Sequence, residues 1–507
     1  MRLDTSFAVD CAVIAIYFIT IVYVGLKFGE KEDNLADFSL GGRSIPWFAV
    51  LASIIAAETS AATFLGTPGE GYGLASYTFL QIAIGTILGR IIVAYLFIKP
   101  YFDLNVYSIY EYLEVRFGKI TRLGASAIFL ITRVLASGAR LYVAAILLAV
   151  GVAIFTGVPP TTAQQLIVYL GSIVFVTVVT AIYTSVGGIK AVVWTDCIQA
   201  AVMFSGALCA IAVLICNIPG GFSTVADFYQ HTAMPFFVSG TTSGASLWTN
   251  ITSVLGQEYT IWAAFLGSTF ITLATHGTDQ DMVQRMLTAT DYKKSRQSLI
   301  WSGLADLPIA FIFLTIGILM KIYYQHCPDP HLPGKTSEVF AYFILTKMPI
   351  GLRGLLVAGI FATAMGSLSA ALNALATSAT RDFYQRIKGE SDGEAVATAR
   401  CFTYIFAGLM ILVASATSYF VIEHPDSRII PIVLGIFGYT YGSLLGVFLL
   451  GLLTRNRGSD RGNIAAMICG AIVVACLPQL AFPWRIMFGS LSTLAVGLLF
   501  CEKKKTL

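Results

Sequence analysis

Apolar stretches long enough to cross a bilayer recur along this chain of 507 residues, near 7–28, 47–66, 74–98, 121–154, 164–183, 190–216, 258–279, 296–324, 352–383, 396–420, 428–453, 462–481 and 484–501. About 20 apolar residues cross the hydrocarbon core as a helix, so the expected fold is an all-α polytopic membrane protein of about 13 transmembrane helices. With 56% apolar and only 12% charged residues, the composition excludes a soluble domain. The nine cysteines lie mostly inside spans and form no CxxC pair. They read as small packing residues rather than a disulfide frame or a metal site. The first span lacks a small-residue cleavage pattern and reads as a retained helix.

The basic residues sort by side. Lys27, Lys31, Arg43, Lys99, Arg116, Lys119, Arg122, Lys190, Arg285, Lys293, Lys294, Arg296, Arg381, Arg386, Lys388, Arg400, Arg455, Arg457, Arg461 and Lys503, Lys504 and Lys505 fall on one side. Arg2, Lys321, Lys335, Lys347, Arg353, Arg428 and Arg485 fall on the other, and the connection 217–257 has no Lys or Arg at all. The positive-inside rule then puts the N-terminus outside and the C-terminus in the cytoplasm, across the plasma (inner) membrane. The net charge of +4 is accounted for by this asymmetry, and nothing resembles a nucleic-acid surface. The segment YSIYEYLEVRFGK, 107–119, has helical apolar spacing and is expected to lie as an amphipathic helix on the cytoplasmic surface. The outer loops 217–257 and 325–350 are expected to cover an entrance.

One span is interrupted. In 47–73, WFAVLASIIAAETSAATFLGTPGEGYG, the residues Glu58, Thr59, Ser60 and Thr63 break the middle, and Pro68 with three glycines breaks the far end. Backbone can leave the helix at that depth only where it faces protein or a water-filled cavity, and there it presents free carbonyls suited to small cations. A Glu at the bilayer centre costs roughly 3 kcal/mol on insertion scales, so Glu58 needs a partner, a proton or a function. At 1.5 Å per residue, Glu58 and Arg133 lie about 18 Å, and Asp306 about 15 Å, from the cytoplasmic starts of their spans. Arg140 shares a helix face with Arg133. For Arg90 and Arg140 two readings stand, snorkelling to a headgroup layer or function. For His276, a satisfied interior imidazole and a substrate contact both fit. In the span GLLVAGIFATAMGSLSAALNALATSATRDFY, small residues allow close helix approach. Ser367 nevertheless sits about 22 Å below the outer start of that span, level with Ala56 and Thr59. A hydroxyl opposite freed carbonyls suits a cation of sodium size.

At these residues the chain resembles a known family. DFSLGGRSIPWFAVLASIIAAETSAATFLGTPGEGYG, YEYLEVRF, SVGGIKAVVWTDCIQ, DQDMVQR and GIFATAMGSLSAALNALAT are similar, in order and over nearly the whole chain, to the motifs of the sodium:solute symporter family. The resemblance implies one integral transporter domain over 1–507 with a LeuT-type 5+5 inverted-repeat core. Its repeats would cover about 47–216 and 258–453, with an extra first helix at about 7–28 and two C-terminal helices at about 462–501. It also implies a functional monomer and sodium as the coupling ion. The sodium positions that carry over are Ala56, Thr59, the carbonyl of Thr363, and Ser367. The family pattern has two adjacent hydroxyl residues where this chain has Gly366-Ser367. For a second sodium site Asp196 and Ser369 match, whereas Gly366 and Ala370 do not. Asp196 lies about 9 Å from the cytoplasmic start of its span.

The candidate substrate-facing residues are Glu58, Thr63, Gln81, Arg133, Thr272, His276 and Asp306. Galactose-type members have an amide at the position of Glu58 and a Lys at that of Asp306, which disfavours a neutral sugar; proline-type members carry an acid matching Glu58. TFLGTPGEGYG is closer to the monocarboxylate, vitamin and iodide branch. The expected function is sodium-coupled import, by alternating access, of a small organic solute bearing a carboxylate: a monocarboxylate, a vitamin or an amino-acid-like molecule. No HExxH or nucleophile motif lies on a span, so an enzyme is not expected. The alternatives are a proton-influenced or sodium-independent transporter of the same fold, and a transporter-like sensor, against which stands the short tail after the last span.

Overall fold

The computed structural model describes residues 5–28, 34–156, 161–388, 392–424 and 429–501. Arg2, Lys31, Arg428, Lys503, Lys504 and Lys505, used above for orientation, lie outside the described residues. Among the described residues the regular structure is helical, with two isolated bridges, Ile45 to Ala289 and Gly458 to Cys501, and no strand.

The expected count of 13 spans is not met by length and hydropathy. Nine described helices are long and apolar enough to cross a membrane, or ten if the bent pair Trp47–Glu58 and Thr63–Leu74 forms one span. The differences have local causes. Thr162–Asn217 runs as one helix of 56 residues, interrupted only at Gly188, whose φ of 48° and ψ of −150° only glycine adopts readily; the sequence reads this stretch as two spans. The 258–279 window resolves into a π-helical turn, Ala263–Gly267, followed by Ser268–Gly277. Gly462–Ala475 has 14 residues, too few to cross alone.

The centre of the molecule is Leu352–Ser378. Its apolar window is 89% buried, against two thirds or less for most other spans, so this helix is surrounded by protein rather than lipid. It packs on Thr162–Asn217, on Lys119–Thr156 and on the first helix, Thr5–Phe28. Small residues permit that approach: a Cβ on Gly354 would come within 2.8 Å of the Asp10 carbonyl oxygen. Its N-terminus starts at Gly351, which has no capping side chain of its own. Asp10, from the first helix, fills the role: its Oδ1 accepts from the N–H groups of Gly351 (2.8 Å) and Gly354 (3.0 Å), and its Oδ2 from Arg353 Nε (2.6 Å). The first helix is thereby fastened to Leu352–Ser378.

At the opposite end, 107–119 contains the short helix Tyr110–Arg116 with Tyr110, Tyr112 and Leu113 buried. Its acidic face is clamped by Arg122, which reaches Glu114 at 2.6 Å and Asp382 at 2.6 Å. Asp382 also accepts from Ser108 (2.9 Å) and Ser126 (2.6 Å), which ties this helix to the end of the central one. The loops 217–257 and 325–350 carry short helices, Phe222–His231, Leu247–Gly256 and Thr336–Lys347.

Candidate ion and solute site

The first break is real and local. Trp47–Glu58 ends at Thr59, whose φ of −80° and ψ of 71° leave the helix, and Ala61–Leu74 restarts after an extended Ser60. The flanking segments are bent by 57°. Ser60 N–H turns to the carbonyl of Glu58 (2.9 Å), and Thr59 N–H keeps the carbonyl of Ile55 (2.9 Å). The carbonyl of Ala56 is therefore deprived of its donor four residues on, which is what a cation-binding break supplies. Ala56 and Thr59 are both buried.

Glu58 does not face Arg133. Its carboxylate is paired with Arg90, and His276 Nε2 stands 2.8 Å from the same oxygen, at ion-pair distance though not in hydrogen-bond orientation. Asp306 Oδ2 is 3.9 Å from the same Arg90 nitrogen and accepts from Thr86 at 3.0 Å. The side chain of Arg90 is 1% exposed, so the snorkelling reading is wrong: it lies inside the protein, wedged against Gly303, where a Cβ would come 3.0 Å from its Cδ. Glu58 and Asp306 keep 21% and 32% of their side-chain surface. Two carboxylates and one guanidinium thus share a site that is open on the carboxylate side.

A second break lies at the end of the window 258–279. Ser268–Gly277 stops, Thr278 and Asp279 leave the helix, and Gln280–Leu287 starts with Asp279 as its cap, accepting from Asp281 N at 3.0 Å. Arg133 is spent here: it pairs with Asp281 and lies 3.3 Å from Asp279, which also accepts from the Tyr441 hydroxyl at 2.8 Å. Arg285 pairs with Asp281 and reaches Asp196 at 3.2 Å, while its Nε donates to Ser53 at 2.9 Å and Ser53 donates to Asp196 at 2.5 Å. All seven residues are buried. Asp279, Asp281 and Arg285 were not among the candidates; the stop–start signal of Gly277 followed by a capping Asp279 was the available clue.

Arg140 is different. Its guanidinium lies 5.2 Å from the centre of the Phe437 ring, the ring that also faces Arg133 at 6.0 Å. No carboxylate reaches it within ion-pair distance among the described residues, and its buried Nε lacks a partner.

On the central helix Thr363 is buried and Ser367 half-buried, with hydroxyls donating to Ile360 O (2.8 Å) and Ala364 O (3.1 Å). Gly366 has a steric reason: a Cβ there would run into Gln199 Oε1 and come within 3.1 Å of Asp196 Oδ1. Among the described residues these oxygens and Gln199 Nε2 are buried without a hydrogen-bond partner, while Ser369 donates to Gly366 O at 3.1 Å. Of the remaining candidates, Thr63 sits beside the break, 3.4 Å from Glu58 O. Thr272 packs on Gly89, where a Cβ would come 2.6 Å from its own. Gln81 is 1% exposed and its amide serves backbone groups: it donates to Tyr259 O (3.3 Å) and accepts from Val238 N (3.2 Å).

A buried helix facing a broken one, with paired charges at both breaks, defines a secondary transporter rather than an enzyme. The profile of the sodium:solute symporter family matches residues 38–470, and the chain belongs to that family. It is a multi-pass membrane protein and a sodium-coupled symporter of a small solute, with the LeuT-type fold. It is 28% identical to the sodium/sialic acid symporter SiaT of Proteus mirabilis over 98% of this chain and 95% of that one. It is 30% identical to the sodium-coupled monocarboxylate transporter 2 of Danio rerio over 90% and 70%. The structure of a substrate-bound, outward-open Na+-coupled sialic acid symporter aligns with a TM-score of 0.81 at 26% identity, covering 97% of both chains. The proton-influenced, sodium-independent and sensor alternatives are not favoured.

Proposed function

We propose that this protein imports a small solute bearing a carboxylate, and that Arg140 receives that group. The observation that carries the reading is the pairing of the interior arginines: Arg90, Arg133 and Arg285 each have carboxylate partners, whereas Arg140 lies against the Phe437 ring with no carboxylate at ion-pair distance among the described residues. A guanidinium with no carboxylate partner favours an anion, which it binds through two parallel N–H donors. The similarity to symporters named for sialic acid and for monocarboxylates supports the same class. Glu58, Asp306 and His276, partly open beside the first break, are assigned to the polar remainder of the solute.

Sodium is assigned to the carbonyls of Ala56, Thr59 and Thr363 and the hydroxyl of Ser367, a reading supported by the freed Ala56 carbonyl. Asp196 is assigned to the inner gate instead, since Arg285 and Ser53 occupy one of its oxygens. The repeats at 47–216 and 258–453 gain support from the two breaks, Thr59–Ser60 and Thr278–Asp279, which fall in the first helix of each. The orientation, N-terminus outside in the plasma (inner) membrane, rests on the distribution of basic residues. With one sodium per monovalent anion no net charge moves, and the concentration gradient drives uptake; a tenfold gradient supplies about 1.4 kcal/mol.

A screen by thermal stabilisation tests the substrate class. Carboxylate solutes should raise the melting temperature in sodium and not in choline, and their amides should have no effect. Stabilisation by neutral amides as large as that by the acids overturns the reading.

A further inference from the structure

We infer that the extracellular strap around Phe236 to Val238 is not an aqueous loop but dips into one leaflet, where Phe236 and Phe237 meet lipid acyl chains and Gln81 satisfies the strap's backbone. Arg296 lies 4.2 Å over the ring of Tyr95, which is 62% exposed, and this Tyr–Arg pair marks one membrane boundary. At 1.5 Å per residue, Gln81 on Gln81–Leu96 lies about 21 Å above that layer and Phe311 on Tyr292–His326 about 22 Å. The hydrocarbon core is about 30 Å thick, so both are inside it. The strap reaches this level: Phe236 stacks on Tyr77 at 5.0 Å, and Tyr77 stacks on Phe311 at 5.1 Å.

Non-helical backbone at such a depth needs its polar groups satisfied by protein. Residues 233–245 form no helix, yet Val238 N–H is taken by Gln81 Oε1 (3.2 Å) and Val238 O by Ile261 N–H (2.8 Å). This accounts for an amide buried to 1% that the solute site does not use. The strap also offers lipid a surface. Phe236 and Phe237 are 48% and 65% exposed, and they wall a groove of about 450 Å³ with Leu80, Ile84, Leu307 and Phe311. Of the eight residues lining this groove only Gln81 is polar. Two of its walls, Leu307 and Phe311, are, like Leu304, apolar side chains exposed on a membrane-spanning helix. A groove at hydrocarbon depth that opens onto the lipid-facing surface is filled by an acyl chain, of the outer leaflet in the orientation proposed above.

The test places a benzoylphenylalanine photocrosslinker at position 237 in the full-length protein, reconstituted in phosphatidylcholine vesicles, with the same probe at Leu247 as a reference. Mass spectrometry should find acyl-chain adducts at 237, and Gln81→Leu, which leaves Val238 N–H unpaired, should lower their yield at least fivefold. Absence of lipid adducts at 237 in the otherwise unaltered protein overturns the proposal, and an unchanged yield in Gln81→Leu overturns the role of the amide. Hydrogen exchange of the unaltered protein gives an independent check should either variant fail to fold: amides of 236–239 should exchange at least a hundredfold more slowly than an open coil, and coil-like exchange overturns the inference.

Discussion

Arg90 and Glu58 meet at the break between Trp47–Glu58 and Ala61–Leu74, so the charge that interrupts the membrane helix is neutralised from the neighbouring helix Gln81–Leu96. Breaking such a pair leaves one charge uncompensated in a low-dielectric interior, at a cost of the order of 3 kcal/mol. Arg90→Leu should therefore lower the melting temperature and abolish uptake. The double variant Arg90→Leu with Glu58→Leu should recover much of the stability but not the uptake. Equal melting temperatures for the single variant and the unaltered protein would contradict the pairing.

Ser367→Ala removes one assigned ligand oxygen. A loss of about 1.4 kcal/mol is a tenfold rise in the sodium concentration for half-maximal uptake. Sodium titration of solute uptake checks it; an unchanged half-saturation at normal expression would remove Ser367 from the ion site.

Gly366→Ala inserts a methyl group against Gln199 and Asp196. Overpacking of this kind costs about 1–3 kcal/mol, and Gln199→Ala should relieve part of it. Thermal unfolding of the two single variants and the double variant measures the coupling; purely additive effects would show that the contact is unimportant.

With no side chain at Gly366 and none but a methyl at Ala370, the auxiliary cation position lacks two oxygens. One sodium should accompany each solute. Dual-label flux of sodium and solute should give a ratio near one, and for a monovalent anion no transport current; a ratio of two would show that other groups complete a second site.

What the sequence made legible follows from what lipid enforces. The helical class, the 47–73 break and the depth of Glu58, Asp306 and Arg133 come from span length and the 1.5 Å rise, which hold whatever the neighbours are. Pairing is not of that kind. Depth arithmetic places Arg133 and Glu58 at the same level but gives no azimuth, so it does not say that Arg90 holds Glu58 while Arg133 serves Asp279 and Asp281. The second break escaped because Thr278 and Asp279 sit at the end of an apolar window rather than in its middle, as Glu58 does. Gly366 read as a missing ligand, and its steric cause, the side chain of Gln199, comes from a helix far away in sequence. Gln81 read as a solute contact on polarity alone, where the structure commits its amide to backbone.

The central claim is that a sodium gradient drives a carboxylate solute onto Arg140. The most direct measurement is uptake of the stabilising carboxylate solute into proteoliposomes with an inward sodium gradient, comparing the unaltered protein with Arg140→Gln, alongside sodium binding without solute followed by tryptophan fluorescence. The unaltered protein should show gradient-dependent accumulation, and Arg140→Gln at least a thirtyfold weaker solute half-saturation, about 2 kcal/mol, with sodium affinity retained. Uptake by Arg140→Gln with unaltered solute affinity would contradict it.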